Sequence, residues 1–179
     1  MKYTILLLVL ILCGSLLVST SVFAAEETQD ASPSAVIEYT FPYPGLLPDS
    51  PLYVFKTVRD RLVSILIKDT LKKASFDLLQ ADKRVYSSVL LAKKSQVNAS
   101  LIVSTFSKGD NYFEEAVHNL AKAKREKRDV TLLQGQMQTA AKKYKEVLED
   151  IGPKVTSKKE AYKILLERAD VLIQKADDL

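Results

Sequence analysis

Histidine, cysteine and tryptophan are nearly missing from this chain of 179 residues, which has one His, one Cys and no Trp. The single histidine, His118, removes most routes to metal or acid–base chemistry, because a di-metal carboxylate bundle needs an E-x-x-H from each of two helices. Glu115-Ala116-Val117-His118 supplies only one of them. A Ser-His-Asp triad would need His118 beside an activated serine, and no G-x-S-x-G elbow is present. The single cysteine, Cys13, lies in an apolar N-terminal run after Leu12, where a lipoprotein acceptor would follow a small residue, so it reads as one more small hydrophobe. Disulfides are then excluded, and stability has to come from a packed core.

Glycine and proline are also scarce, and their placement is uneven. Beyond Pro51 only Pro153, Gly109, Gly135 and Gly152 interrupt nearly 130 residues, whereas Pro42, Pro44, Pro48 and Pro51 crowd into FPYPGLLPDSPLYVFK, residues 41–56. Charge is mixed: 26 basic against 22 acidic residues give a formal net +4. Nucleic-acid binding would call for a concentrated basic stripe with interleaved aromatics. Paired acids such as Glu114 and Glu115 are adjacent in sequence and diverge on a helix, which does not suit glycosidase chemistry. The expectation is no catalytic residue, no metal ligand and no cofactor.

The N-terminus has the make-up of an export signal. Lys2 precedes an uncharged run to Ala25, and Val22 and Ala24 occupy the −3 and −1 positions of a cleavage after Ala24. The rival is an uncleaved anchor, since about 20 apolar residues suffice to span a bilayer. Residues 1–24 are therefore expected to be a signal peptide or anchor, residues 25–38 a flexible polar leader, and residues 39–179 the folded domain. Either reading places that domain outside the cytoplasm.

Within it, apolar residues recur at threes and fours. Leu52, Phe55, Val58, Leu62 and Ile65 mark a first helix, and Leu71, Ala74, Leu78, Ala81, Val85 and Ala92 a second. Ile102, Phe106, Phe113, Ala116, Leu120 and Ala123 mark a third; Leu133, Met137, Ala140, Tyr144, Val147 and Ile151 a fourth; Ala161, Leu165, Leu172 and Ala176 a fifth. Each stripe predicts one buried face. Asp69, Asn98 and Asp129 are placed to cap new helices, Ser157 and Glu160 form an S-x-x-E box, and Gly152-Pro153 reads as a stop with a left-handed glycine. Short connections predict antiparallel neighbours. The fold class expected is all-α: an elongated antiparallel bundle of about five helices preceded by a proline-rich extended segment.

The prolines hold that segment extended and Gly45 permits a sharp turn, with Ser50 expected as N-cap and Pro51 at the first helical position. Tyr39, Phe41, Tyr43, Tyr53 and Phe55 are expected to pack over one end of the bundle. The stretch PGLLPDSPLYVFK closely resembles the P-G-x-L-P-x-S-P-L-Y-x-x-K signature of an uncharacterised family of exported bacterial helical domains, carried here by Pro44, Gly45, Leu47, Pro48, Ser50, Pro51, Leu52, Tyr53 and Lys56. LKKASFDLLQADKR, residues 71–84, resembles that family's second helix, and the likeness extends over about residues 39–150. The resemblance implies export and an all-helical fold, and no activity. Gly109 departs from it, falling inside the third helix where a good helix former is usual; it costs about 1 kcal/mol relative to alanine and marks a kink or close packing.

The densest charge run is KAKREKRD, in which Lys122, Lys124, Arg125, Lys127 and Arg128 either complement a helix C-terminus or contact an anionic polymer or lipid. Asn98-Ala99-Ser100 matches a glycosylation sequon but reads better as a helix cap. The function expected is a non-catalytic extracytoplasmic structural or interaction module of the bacterial cell envelope, with an unidentified protein or envelope polymer as partner, no nucleic acid, and membrane attachment only through a retained N-terminal segment. The alternative is a metal- or small-ligand-binding helical bundle.

Overall fold

The computed structural model describes residues 38–179. The signal or anchor, Cys13 and most of the leader lie outside the described residues. The described residues form one compact unit with its own hydrophobic core. Among the described residues there are five α-helices and no strand: α1 (Tyr53–Leu66), α2 (Thr70–Ala92), α3 (Ala99–Arg125), α4 (Thr131–Ile151) and α5 (Lys159–Asp177). The longest, α3, has 27 residues and extends about 40 Å at the usual rise per residue.

The closest pair is α2 with α3, and small residues explain it. Ala74, Ala81 and Ser88 on α2, and Gly109, Ala116 and Ala123 on α3, recur at seven-residue spacing and are all buried. Gly109 sits where a Cβ would come within 3.1 Å of the Val85 side chain and 3.3 Å of the Ala81 carbonyl oxygen. The helix continues through it, so close packing and not a kink is what glycine serves here. Antiparallel register is fixed by polar pairs along the seam: Asn119 donates to Asp77 at 2.9 Å, Thr70 reaches Glu126, and Arg128 donates to Asp69 at 2.7 Å.

The second layer closes over this pair. Tyr144 of α4 is fully buried, edge-on to Phe113 at 5.3 Å and to Phe106 at 6.5 Å. α5 packs on α3 and α4 through Leu165, Ala169, Leu172 and Ala176. Burying a side chain of leucine or phenylalanine size contributes about 1.5–3 kcal/mol, so the stripes of α2 to α5 are where the fold gains its stability. Asp69 and Asn98 cap α2 and α3 as their positions suggest, accepting from the Lys72 and Leu101 amides, and Asp129 accepts from Thr131.

Three local expectations are corrected. Ser50 is not an N-cap: α1 begins at Tyr53 after two successive turns, in which the Leu47 and Ser50 carbonyls accept from Ser50 and Tyr53, leaving Pro51 in the turn. The Ser157–Glu160 box does not form, because residues 156–158 are taken up in a 3₁₀ turn and α5 starts at Lys159 with no side-chain cap. Gly152 is right-handed, with φ −48°, and runs into a 3₁₀ turn. Its small size is used instead, since a Cβ there would approach the Tyr162 hydroxyl to 2.6 Å.

The largest correction concerns α1. Its stripe was expected to face the core, yet Phe55, Leu62, Ile65 and Leu66 are 74%, 58%, 67% and 76% exposed, and Leu52 and Val58 are exposed as well. The buried residues of α1 are Tyr53 and Asp60.

Candidate functional site

The inverted helix is explained by what lies beneath it. The surface of α2 under α1 is polar: Lys73 donates to Ser64 at 2.5 Å and to Asp77 at 2.8 Å, and the Arg84 guanidinium sits 4.9 Å from the Tyr53 ring centre. A helix set on such a surface turns its own polar side inward, because unpartnered buried charges cost more than exposed leucines. At about 100° per residue, Val54, Phe55, Val58, Leu62, Ile65 and Leu66 fall within an outward arc of about 120°. Arg61 borders one side of that arc and Arg59 the other; Lys56 lies further round, toward the hook, and Lys68 follows two residues beyond the helix end.

The proline segment holds this helix in place. Pro44 is fully buried, and Gly45 takes φ +71°, a left-handed turn that suits a residue without Cβ. The side chain of Lys56, one turn into α1, reaches back to donate to the Pro44 carbonyl at 2.6 Å and lies 5.3 Å from the Tyr53 ring centre. Burial lowers its pKa, with Lys83 and Arg59 pushing the same way and Asp60 opposing them. Pro44, Gly45, Leu47, Pro48, Ser50, Tyr53 and Lys56 thus form one clamped hook, while Pro51 and Leu52 stay exposed on its outer side.

Upstream, Tyr39 and Phe41 fasten the same segment to the bundle. The Tyr39 hydroxyl lies 2.8 and 2.9 Å from the two Asp82 carboxylate oxygens, and the Tyr144 hydroxyl donates to the same carboxylate at 2.7 Å. Burial pushes Asp82 up to about 6, with the two phenols pulling it back. Phe41 stacks on Tyr86 at 5.7 Å and on Tyr144 at 6.1 Å. Of the five aromatics expected to cover one end, Tyr39, Phe41 and Tyr53 pack and Tyr43 and Phe55 project into solvent. Nothing in the local pattern marked the Asp82 anchor, the Arg84–Tyr53 stack or the Lys56 clamp; the spacing of Tyr53 and Lys56, three residues apart, is the one available signal.

A groove of about 900 Å³ runs beside residues 38–42, lined by Leu78, Leu79, Leu132 and Gln136. Two carboxylates line it: exposed Glu38, and Asp82, whose oxygens are already engaged by the two tyrosines. A smaller cleft of about 410 Å³ opens between the hook and α1, where Tyr43 and Phe55 stand beside Lys56, Arg59 and Lys83.

In the basic run, Arg128 donates to Asp69, Lys124 reaches the terminal Leu179 carbonyl, and Lys127 takes φ 59°. The Lys127 amide donates to Lys124 and the Arg128 amide to the Ala123 carbonyl, which is the Schellman arrangement with lysine in place of glycine. Lys122 and Arg125 remain exposed at the same helix end. Glu115 and His118 lie on the exposed face of α3, and the described residues contain no group of three or more His, Cys, Asp or Glu placed to hold a metal.

The profile of a family described as a domain of unknown function, DUF5667, matches residues 45–174, from Gly45 of the hook to near the end of α5. No curated protein and no solved structure matches the chain.

Proposed function

The chain belongs to the DUF5667 family of domains of unknown function, and from that premise we propose that it is a non-catalytic interaction module of the cell envelope, working outside the cytoplasm. In this reading α2 to α5 are the scaffold and α1, clamped by the hook, is the surface presented to a partner. The observation that carries it is the outward apolar face of α1. An exposed run of large apolar side chains on one rigid helix is unusual on a monomer and marks a surface that is covered in use. Support for export comes from the make-up of residues 1–24.

Accessibility tests this directly. A cysteine placed by Leu62→Cys reacts with a membrane-impermeant maleimide in the purified domain, and is expected to be shielded in intact envelopes, whereas Lys163→Cys on exposed α5 labels equally in both. Equal labelling at position 62 in both preparations removes the docking role.

A further inference from the structure

The borders of the α1 face say what covers it. The segment from Phe41 to Lys68 carries Lys56, Arg59, Arg61 and Lys68 against only Asp49 and Asp60. Both acids are occupied: Asp49 with Lys94, and buried Asp60 with Arg59. The outward apolar arc is therefore bordered by Arg61 on one side and by Arg59, already paired with Asp60, on the other, with Lys68 just past the helix end and no free carboxylate among the described residues of α1. Beside its N-terminal end, the cleft between hook and helix adds Lys83 to Lys56 and Arg59 and flanks them with the exposed rings of Tyr43 and Phe55.

A second copy of the chain does not fit this frame. Pairing two such faces about a two-fold axis sets the bordering Arg59 and Arg61 of one copy against arginines of the other. An anionic bilayer surface matches every part: apolar side chains enter the boundary between headgroups and acyl chains, and lysine and arginine stems extend upward to the phosphates. No described helix is long and apolar enough to cross a membrane, so the contact is peripheral.

We propose that α1 is an interfacial membrane helix, lying in the headgroup region of an anionic bilayer with Phe55, Leu62, Ile65 and Leu66 immersed and a lipid phosphate held in the Lys56–Arg59–Lys83 cleft. This deepens the docking role proposed above and rests on it, naming the lipid surface as the partner.

The absence of tryptophan makes the test clean. Residues 25–179, which contain the whole compact unit, carry Phe55→Trp as the sole indole, and the spectrum is followed on adding vesicles containing phosphatidylglycerol or phosphatidylcholine alone. The expected result is a blue shift and quenching by brominated acyl chains with the anionic vesicles only. Adding Leu62→Ser with Leu66→Ser abolishes the shift, and Arg61→Glu with Lys68→Glu weakens binding by about tenfold or more while helical content is unchanged. Equal binding to neutral vesicles overturns the anionic assignment, and a shift that depends on protein concentration without lipid overturns it in favour of self-association. If no vesicle gives a shift while Leu62→Cys is still shielded in envelopes, the lipid is wrong and the docking role stands; if the cysteine is not shielded either, both fall.

Discussion

α1 and α3 are both amphipathic, and they point their apolar sides in opposite directions. In α3, Ile102, Phe106, Phe113, Leu120 and Ala123 are wholly buried against α2 and α4. In α1 the residues of the same kind face out, and the buried ones are a tyrosine and an aspartate. The difference lies in the neighbour. Opposite α3, helix α2 offers Ala74, Ala81 and Val85; under α1 it offers Lys73, Asp77 and Arg84. A hydrophobic period states that a helix has two faces, and the adjoining surface decides which one turns inward.

The contrast is broken most forcefully from the buried side. Phe113→Ala removes a fully buried ring that supports Tyr144, and is expected to lower the unfolding free energy by about 3–5 kcal/mol in urea titration. A loss below 1 kcal/mol there would mean that the two helices do not differ in the way described.

A second effect of substantial size sits on α3 itself. Asp110 is buried with neither carboxylate oxygen hydrogen-bonded, and Arg168 approaches only to 3.8 Å. Burial pushes its pKa up to about 7, partly offset by Arg168. The folded state therefore holds this proton more tightly than the unfolded chain, whose carboxyl titrates near 3.8. Stability is unaffected by the group below pH about 4, falls as the pH rises toward about 7, and stays reduced above it, by on the order of 2–4 kcal/mol. Asp110→Asn is expected to flatten that slope and raise the midpoint of urea unfolding at pH 8. Asp82 has the same sign and leaves a residual slope. A variant less stable than the parent at pH 8 would contradict the assignment.

Much of the scaffold was legible beforehand because α2 to α5 bury long stripes that no alternative packing could use as well. The Asp69 and Asn98 caps were legible for a local reason: the donor is three residues from the acceptor. What was not legible depends on distant partners. Ser50 is a plausible cap by type, but the turns closed by the Leu47 and Ser50 carbonyls carry the chain past it to a helix start at Tyr53, and Gly152 stays right-handed with the Tyr162 hydroxyl beside it. The outward face of α1 depends on Lys73 and Arg84, whose own positions follow from the α2–α3 pairing. The candidate site was thus half visible: the hook residues were identified, and the orientation of the helix that follows them was not.

A smaller effect separates structural from surface roles in the basic run. Lys127 holds a left-handed backbone that glycine adopts freely, so Lys127→Gly is expected to stabilise the domain by about 1 kcal/mol, read as a rise in melting temperature. A fall would show that the lysine side chain, and not its backbone, matters at that turn.

The smallest expected effect is the one on which everything about α1 depends. Urea unfolding of the triple variant Phe55→Ser, Leu62→Ser, Leu66→Ser measures whether the outward face takes part in folding. With those side chains in solvent, the unfolding free energy should stay within about 0.5 kcal/mol per substitution of the parent. A combined loss of about 5 kcal/mol or more, the size expected for deleting buried apolar groups, would place the face inside the fold and contradict its role as a docking surface.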